Sequence, residues 1–141
     1  MLLPNADEAA LLLGKTPAPV RTESDAAALL AALCARGAKK TAITGLHLQP
    51  GRIAVAARSG GATFYIDNPQ APCKLFGTGD LFSAAATAAL VRGRDFASAL
   101  RIACDFAALC AARTAEDESR DPRFGVRFED SLPDFIEMLR G

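Results

Sequence analysis

One continuous stretch holds the residue types that could do chemistry: Phe76-Gly77-Thr78-Gly79-Asp80-Leu81-Phe82-Ser83-Ala84. Its glycines stand immediately before a helical pattern, so backbone N–H groups at the helix start can point outward with no side chain in the way. A helix start with free N–H groups and the positive end of the dipole attracts an anion. An acidic residue there would repel a phosphate that only had to be held. It makes sense as a base for an alcohol attacking that phosphate. Phosphoryl transfer needs a group that orients the nucleophile and takes its proton, and donors for the developing charge. The plainer alternative is that Thr78 or Asp80 simply caps a helix after a glycine-rich loop.

Two further places carry weaker signals. Asn5-Ala6-Asp7-Glu8 follows a short strand at the head of a helix. Asn5 and Glu8 have the spacing of a capping box; in a functional role, Glu8 near phosphates would hold Mg²⁺ directly or through water. Thr44 ends a strand, where its hydroxyl could meet a phosphate oxygen. Cys34, Cys73, Cys104 and Cys110 lack metal or redox spacing and are expected to be buried free thiols. The only histidine, His47, sits in a turn-like Gly-Leu-His-Leu-Gln-Pro-Gly stretch, which excludes a multi-histidine metal site. A nucleophile triad has no elbow motif to support it.

The elements that must position these residues alternate between strand and helix. Leu2-Leu3 ends a strand, stopped by Pro4. Helices are expected over 6–14, ended by Gly14, and over 23–36, with Thr22 as N-cap and Gly37 as stop. Strands follow over 40–44, 52–58 and 62–66, the last two paired across Ser59-Gly60-Gly61. Residues 68–76 read as an extended loop, then helices over 80–91 and 96–112. Residues 113–130 hold four Arg and six Asp or Glu and read as a solvated connection before a last helix over 132–139. Such alternation indicates an α/β fold with a partly antiparallel edge at the hairpin.

Composition narrows the function class. Sixteen basic and sixteen acidic residues leave no net charge in 141 residues, so no basic face favours nucleic acid. No apolar run approaches the roughly 20 residues of a membrane span, and Met1 to Asn5 lack a signal peptide's basic and apolar regions. The expected localisation is cytoplasmic, and the length alone suggests one domain.

Taken together, the strand-Pro-Asn-x-x-Glu-Ala segment at 2–9, the strand ending in Thr44, and Lys74-Leu75-Phe76-Gly77-Thr78-Gly79-Asp80-Leu81-Phe82-Ser83-Ala84 occur in a known order. The likeness continues through Leu90-Val91-Arg92-Gly93 into an Ala-rich helix. The sequence resembles the C-terminal half of a pyridoxal (pyridoxine, pyridoxamine) kinase of the ribokinase-like superfamily. The resemblance implies the C-terminal part of a three-layer α/β/α fold, an incomplete sheet with a β-hairpin edge. It implies Asp80 as the base activating the 5′-hydroxymethyl group of the vitamin, and the backbone of Gly77, Thr78 and Gly79 as the anion hole for the γ-phosphoryl group. Asn5 and Glu8 would belong to the Mg²⁺–phosphate network, and Thr44 would contact the ATP phosphates. ATP and Mg²⁺ are the implied cofactors, with a monovalent cation as a further candidate. Sugar kinases of the superfamily more often carry Ala at the Thr78 position, and hydroxymethylpyrimidine kinases usually carry Cys at the Asp80 position.

A kinase of that family has about twice this length. Residues 1–141 are therefore expected to be the ATP- and phosphate-binding portion, with the N-terminal half, including the vitamin-ring pocket, absent. An open sheet edge and uncovered apolar face invite aggregation or pairing with another chain, such as a homodimer. Phosphate contacts without an oriented alcohol should give little transfer, so an inactive or ATP-binding-only remnant is the alternative.

Overall fold

Side-chain caps set the first two helices. Asn5 begins α1 (Ala6–Leu12): its side chain accepts from the Glu8 N–H, and the Glu8 carboxylate accepts from the Asn5 N–H, both at 2.9 Å. Thr22 begins α2 (Glu23–Ala35) with Asp25 in the same reciprocal arrangement, at 3.1 and 3.0 Å. Each box satisfies two donors that the helix itself cannot. The computed structural model describes residues 1–72, 75–117 and 124–141. Within it the chain divides into two compact units, Met1–Asp67 and Asn68–Gly141.

β1 (Lys40–Leu46), β2 (Arg52–Ser59) and β3 (Ala62–Pro69) form an open sheet in that order, all within the first unit except the last two residues of β3, Asn68 and Pro69. β1 and β2 pair antiparallel from Lys40↔Ser59 to Leu46↔Ala54. Gly60 and Gly61, at φ +58° and +86°, make the tight turn into β3; two successive positive φ values match the twist of a two-residue hairpin. Residues 2–5 lie parallel beside β1, through bridges Leu2↔Thr41 and Asn5↔Thr44. The chain between them, carrying α1 and α2, is a crossover of the kind that parallel pairing demands. Its apolar positions Ala9, Ala26, Leu30 and Leu33 pack on Ile43, Leu46, Ala54 and Ala56 of the sheet. β3 runs three residues past the expected end, taking in residues assigned from sequence to a loop.

The second unit is helical. α3 (Thr78–Val91) and α4 (Phe96–Glu116) are joined through Gly93, at φ +90°. Asp95 caps α4 by accepting from the Ser98 N–H at 3.0 Å and hydroxyl at 2.6 Å. These bonds hold the Asp95 carboxyl below its ordinary pKa. Buried Ala85, Ala86 and Ala89 on α3 and Ala99 and Ala103 on α4 keep the core side chains small, around Phe82, Leu100 and Phe106. After a 3₁₀ turn (Glu129–Ser131), α5 (Leu132–Arg140) stacks Phe135 on Phe106 with ring centroids 4.5 Å apart. Arg113 holds the same corner, donating to Ser131 Oγ at 2.9 Å and Asp134 at 2.7 Å.

Residues 113–130 differ from the solvated connection expected. α4 runs on to Glu116, and Thr114 and Val126 are buried. The Thr114 hydroxyl donates to the Cys110 carbonyl at 2.6 Å and accepts from the Arg127 N–H at 2.9 Å, which draws the later residues back onto α4. The charges stay outside: Arg127 pairs with Asp117 and Asp130. Charge density was therefore a poor guide to burial here. The rest of that segment, 118–123, and Cys73 lie outside the described residues. No described helix is long and apolar enough to cross a membrane.

Candidate functional site

Gly77 is the N-cap of α3, at φ +82° and ψ −4°, and no side-chain bond caps this end. That disposes of the plain capping alternative for Thr78 and Asp80, which occupy the first and third helical positions. The left-handed backbone at Gly77 is one that L side chains rarely adopt. The first four N–H groups of a helix have no acceptor within it, and here those belong to Gly77, Thr78, Gly79 and Asp80. A Cβ placed on Gly79 would meet nothing within 4 Å, so the space before the second helical residue is open. Asp80 is exposed, and its carboxylate has no hydrogen-bond partner among the described residues. The geometry combines N–H donors and a carboxylate without hydrogen-bond partners among the described residues with the positive end of a 14-residue helix. It fits a phosphate with a proton acceptor beside it.

A cleft of about 520 Å³ opens over this turn, lined by Phe76, Gly77, Asp80 and Leu81 on one side and by Phe124, Gly125, Val126 and Phe128 on another. The second group is not among the residues the sequence points to, because it lies in the stretch that reads as a solvated connection. The signal was there: Phe124-Gly125-Val126-Arg127-Phe128 alternates apolar residues around a glycine amid charges. Nothing in the local spacing says which turn it would face.

The candidate residues of the first unit come together among themselves. Asn5 bridges Thr44 in the parallel pair, the Thr44 N–H donates to the Pro4 carbonyl at 2.9 Å, and Glu8 is tied to Asn5. Thr44 and Gly45 form a bulge in β1, between the pairs Ile43↔Ala56 and Leu46↔Ala54, with Gly45 at φ +70°. Such bulges re-aim side chains and recur beside functional sites. The capping box uses one Glu8 carboxylate oxygen and the Asn5 side-chain oxygen Oδ1. The other Glu8 oxygen has no hydrogen-bond partner among the described residues. Among the described residues no three His, Cys, Asp or Glu side chains gather to hold a metal ion.

Of the four thiols expected to be buried and free, two are so and a third is less buried than expected, while Cys73 lies outside the described residues. Cys104 and Cys110 are buried and free, and Cys34 is half-buried. Burial pushes the Cys104 thiol up to about 12, so it carries no useful thiolate at neutral pH.

The family model for phosphomethylpyrimidine kinase matches residues 1–119. The chain belongs to the phosphomethylpyrimidine kinase family. Solved structures agree. A candidate phosphomethylpyrimidine kinase from Bacteroides thetaiotaomicron, crystallised with pyridoxal, superposes with a TM-score of 0.85 at 26% identity, over 96% of this chain and 49% of that one. Pyridoxal kinase from Lactobacillus plantarum gives 0.84 at 29% identity, over 97% and 49%. An ADP complex of Bacillus subtilis pyridoxal kinase gives 0.66 at 27%, over 74% and 41%. A comparison with curated proteins found no match. The mixed α/β arrangement is thus part of the ribokinase-like kinase fold expected from the sequence, with the β2–β3 hairpin at the edge of its small sheet. This member of the phosphomethylpyrimidine kinase family spans about half the length of the solved structures it matches.

Proposed function

We propose that residues 1–141 form the ATP- and phosphate-binding portion of a kinase that transfers the γ-phosphoryl group of ATP to the 5′-hydroxyl of pyridoxal, pyridoxine or pyridoxamine. The observation that carries this reading is the start of α3: Gly77 caps it without a side chain, and Asp80 stands three residues on with its carboxylate unengaged among the described residues. In the transfer, the alcohol oxygen bonds to the γ-phosphorus while the bond from that phosphorus to the bridging oxygen breaks. ADP leaves with the electron pair, and the alcohol proton passes to Asp80. The N–H groups of Gly77, Thr78 and Gly79 hold the charge gathering on the transferred group. Thr44 contacts the ATP phosphates, and Asn5 and Glu8 belong to the Mg²⁺–phosphate network. Mg²⁺, when bound, neutralises phosphate charge. Support comes from the family, from the neighbour crystallised with pyridoxal and from the neighbour solved with ADP.

Two observations favour neighbouring readings. The family description points to a pyrimidine in place of the vitamin as the substrate class. The match to about half of each solved kinase favours ATP binding without transfer, since orientation of the alcohol supplies much of the rate. One experiment separates them. The purified chain is incubated with ATP, Mg²⁺ and either pyridoxal or the pyrimidine alcohol, and product is followed by chromatography. Pyridoxal 5′-phosphate that disappears in Asp80→Ala carries the main reading; a pyrimidine phosphate alone reassigns the substrate. Calorimetric ATP binding with no product leaves the binding reading, and absence of binding overturns all three.

A further inference from the structure

We infer that Gly125 and Val126 are positioning residues: they form a strap that sets the left-handed cap at Gly77 and thereby the aim of the α3 N–H groups. This rests on the proposed role of that turn. Four observations place the strap. The Val126 N–H donates to the Phe76 carbonyl at 2.9 Å, directly before Gly77. Val126 is buried, and its Cγ1 lies 3.8 Å from where a Gly77 Cβ would stand. Gly125 sits at φ +79°, and a Cβ there would come within 3.0 Å of the Phe76 carbonyl oxygen. Finally, the strap is anchored to α4, because the Arg127 N–H donates to Thr114 Oγ1, itself bound to the Cys110 carbonyl.

The chemistry follows from the bond order along this chain of contacts. The Phe76 carbonyl belongs to the peptide whose N–H is that of Gly77, so holding one end of that plane fixes the other. A free glycine would visit several backbone shapes, since it pays almost no penalty for positive or negative φ. The bond from Val126 and the packing of its side chain select one of them. Glycine is favoured at 125 for two reasons: the positive φ, and the close approach to the Phe76 carbonyl. The strap touches no reacting atom in this reading. It acts through Gly77.

The test uses the full chain, ¹⁵N-labelled, as wild type, Gly125→Ala and Val126→Pro, with Gly93→Ala as a control. Gly93 also has positive φ in the second unit, but it lies in the turn between α3 and α4 with open space around its Cβ position. Gly125→Ala and Val126→Pro are expected to shift the amide resonances of Gly77, Gly79 and Asp80. Gly93→Ala should lower the melting temperature without moving them. Titration with Mg²⁺ and the ATP analogue AMP-PCP should then show binding to Gly125→Ala weakened roughly tenfold, the size of one strained residue expressed in Kd. Unmoved Gly77–Asp80 amides in Gly125→Ala would overturn the strap, as would equal movement in Gly93→Ala, or wild-type affinity in Gly125→Ala. If wild type itself binds no AMP-PCP, the phosphate role of the turn falls, while the amide comparison still decides the strap.

Discussion

Asn5 and Gly77 each stand before a helix and prepare its first turn in opposite ways. Both helices carry an acidic residue at the third position, Glu8 in α1 and Asp80 in α3; α2 repeats the first pattern with Thr22 and Asp25. In the first unit the cap residue has a side chain and extended backbone, so the carboxylate folds back and closes a box. In the second, Gly77 has no side chain and a left-handed backbone, and no box forms. An acidic residue at the same helical position closes a box in one place and stands without a hydrogen-bond partner among the described residues in the other. What separates the two is the residue three positions earlier.

The contrast can be broken at several points. The largest effect belongs to Asp80→Asn, which should lower phosphoryl transfer by roughly 10²- to 10⁴-fold while calorimetry finds AMP-PCP binding intact. Transfer that survives would make Asp80 an ordinary helix-start acid. Gly77→Ala forces an L residue into the left-handed region at a cost of about 1–2 kcal/mol, seen as a lower denaturation midpoint together with weaker nucleotide binding. Asn5→Ala should remove about 1 kcal/mol of stability by loss of the cap. If it instead left the midpoint unchanged and cost ATP affinity, Asn5 would be a ligand first and a cap second.

The smallest effect is one of pH. Hydrogen bonds from Thr22, and from the backbone of Arg21 and Thr22, hold the Asp25 carboxyl below its usual value of 3.8. A depressed pKa in the folded state means the box contributes fully above the unfolded value and is lost as pH falls through the folded one. Acid titration followed at the Thr22 and Asp25 amides should therefore show a midpoint below 3.8, absent in Asp25→Asn. A midpoint at or above the ordinary value would mean the box is not formed in solution.

Much of this was legible along the chain. Asn5, Glu8 and Thr22 announced their caps, Gly14 and Gly37 their stops, and Gly60-Gly61 their hairpin, because each is a contest settled within three or four residues. The order of the Pro4-Asn5, Thr44 and Gly77–Asp80 motifs was enough to identify the kinase fold. Less legible were the ends of β3 and α4, which run past their expected limits because tertiary partners extend them. Asn68 Nδ2 donates to Asp105 at 2.9 Å, and Thr114 is held by Arg127.

By itself, then, the sequence determined which residues could act and the local backbone each would need, since glycine, capping side chains and helical spacing exert their effects over one turn of chain. Only the tertiary structure decided what meets them. Val126 reaches Phe76, and residues 2–5 lie beside β1, through contacts between positions far apart along the chain. Such contacts are selected by burial of apolar surface and pairing of backbone groups, and neither leaves a mark on the residues nearby. That is why a charged, turn-rich segment could conceal the wall of the cleft.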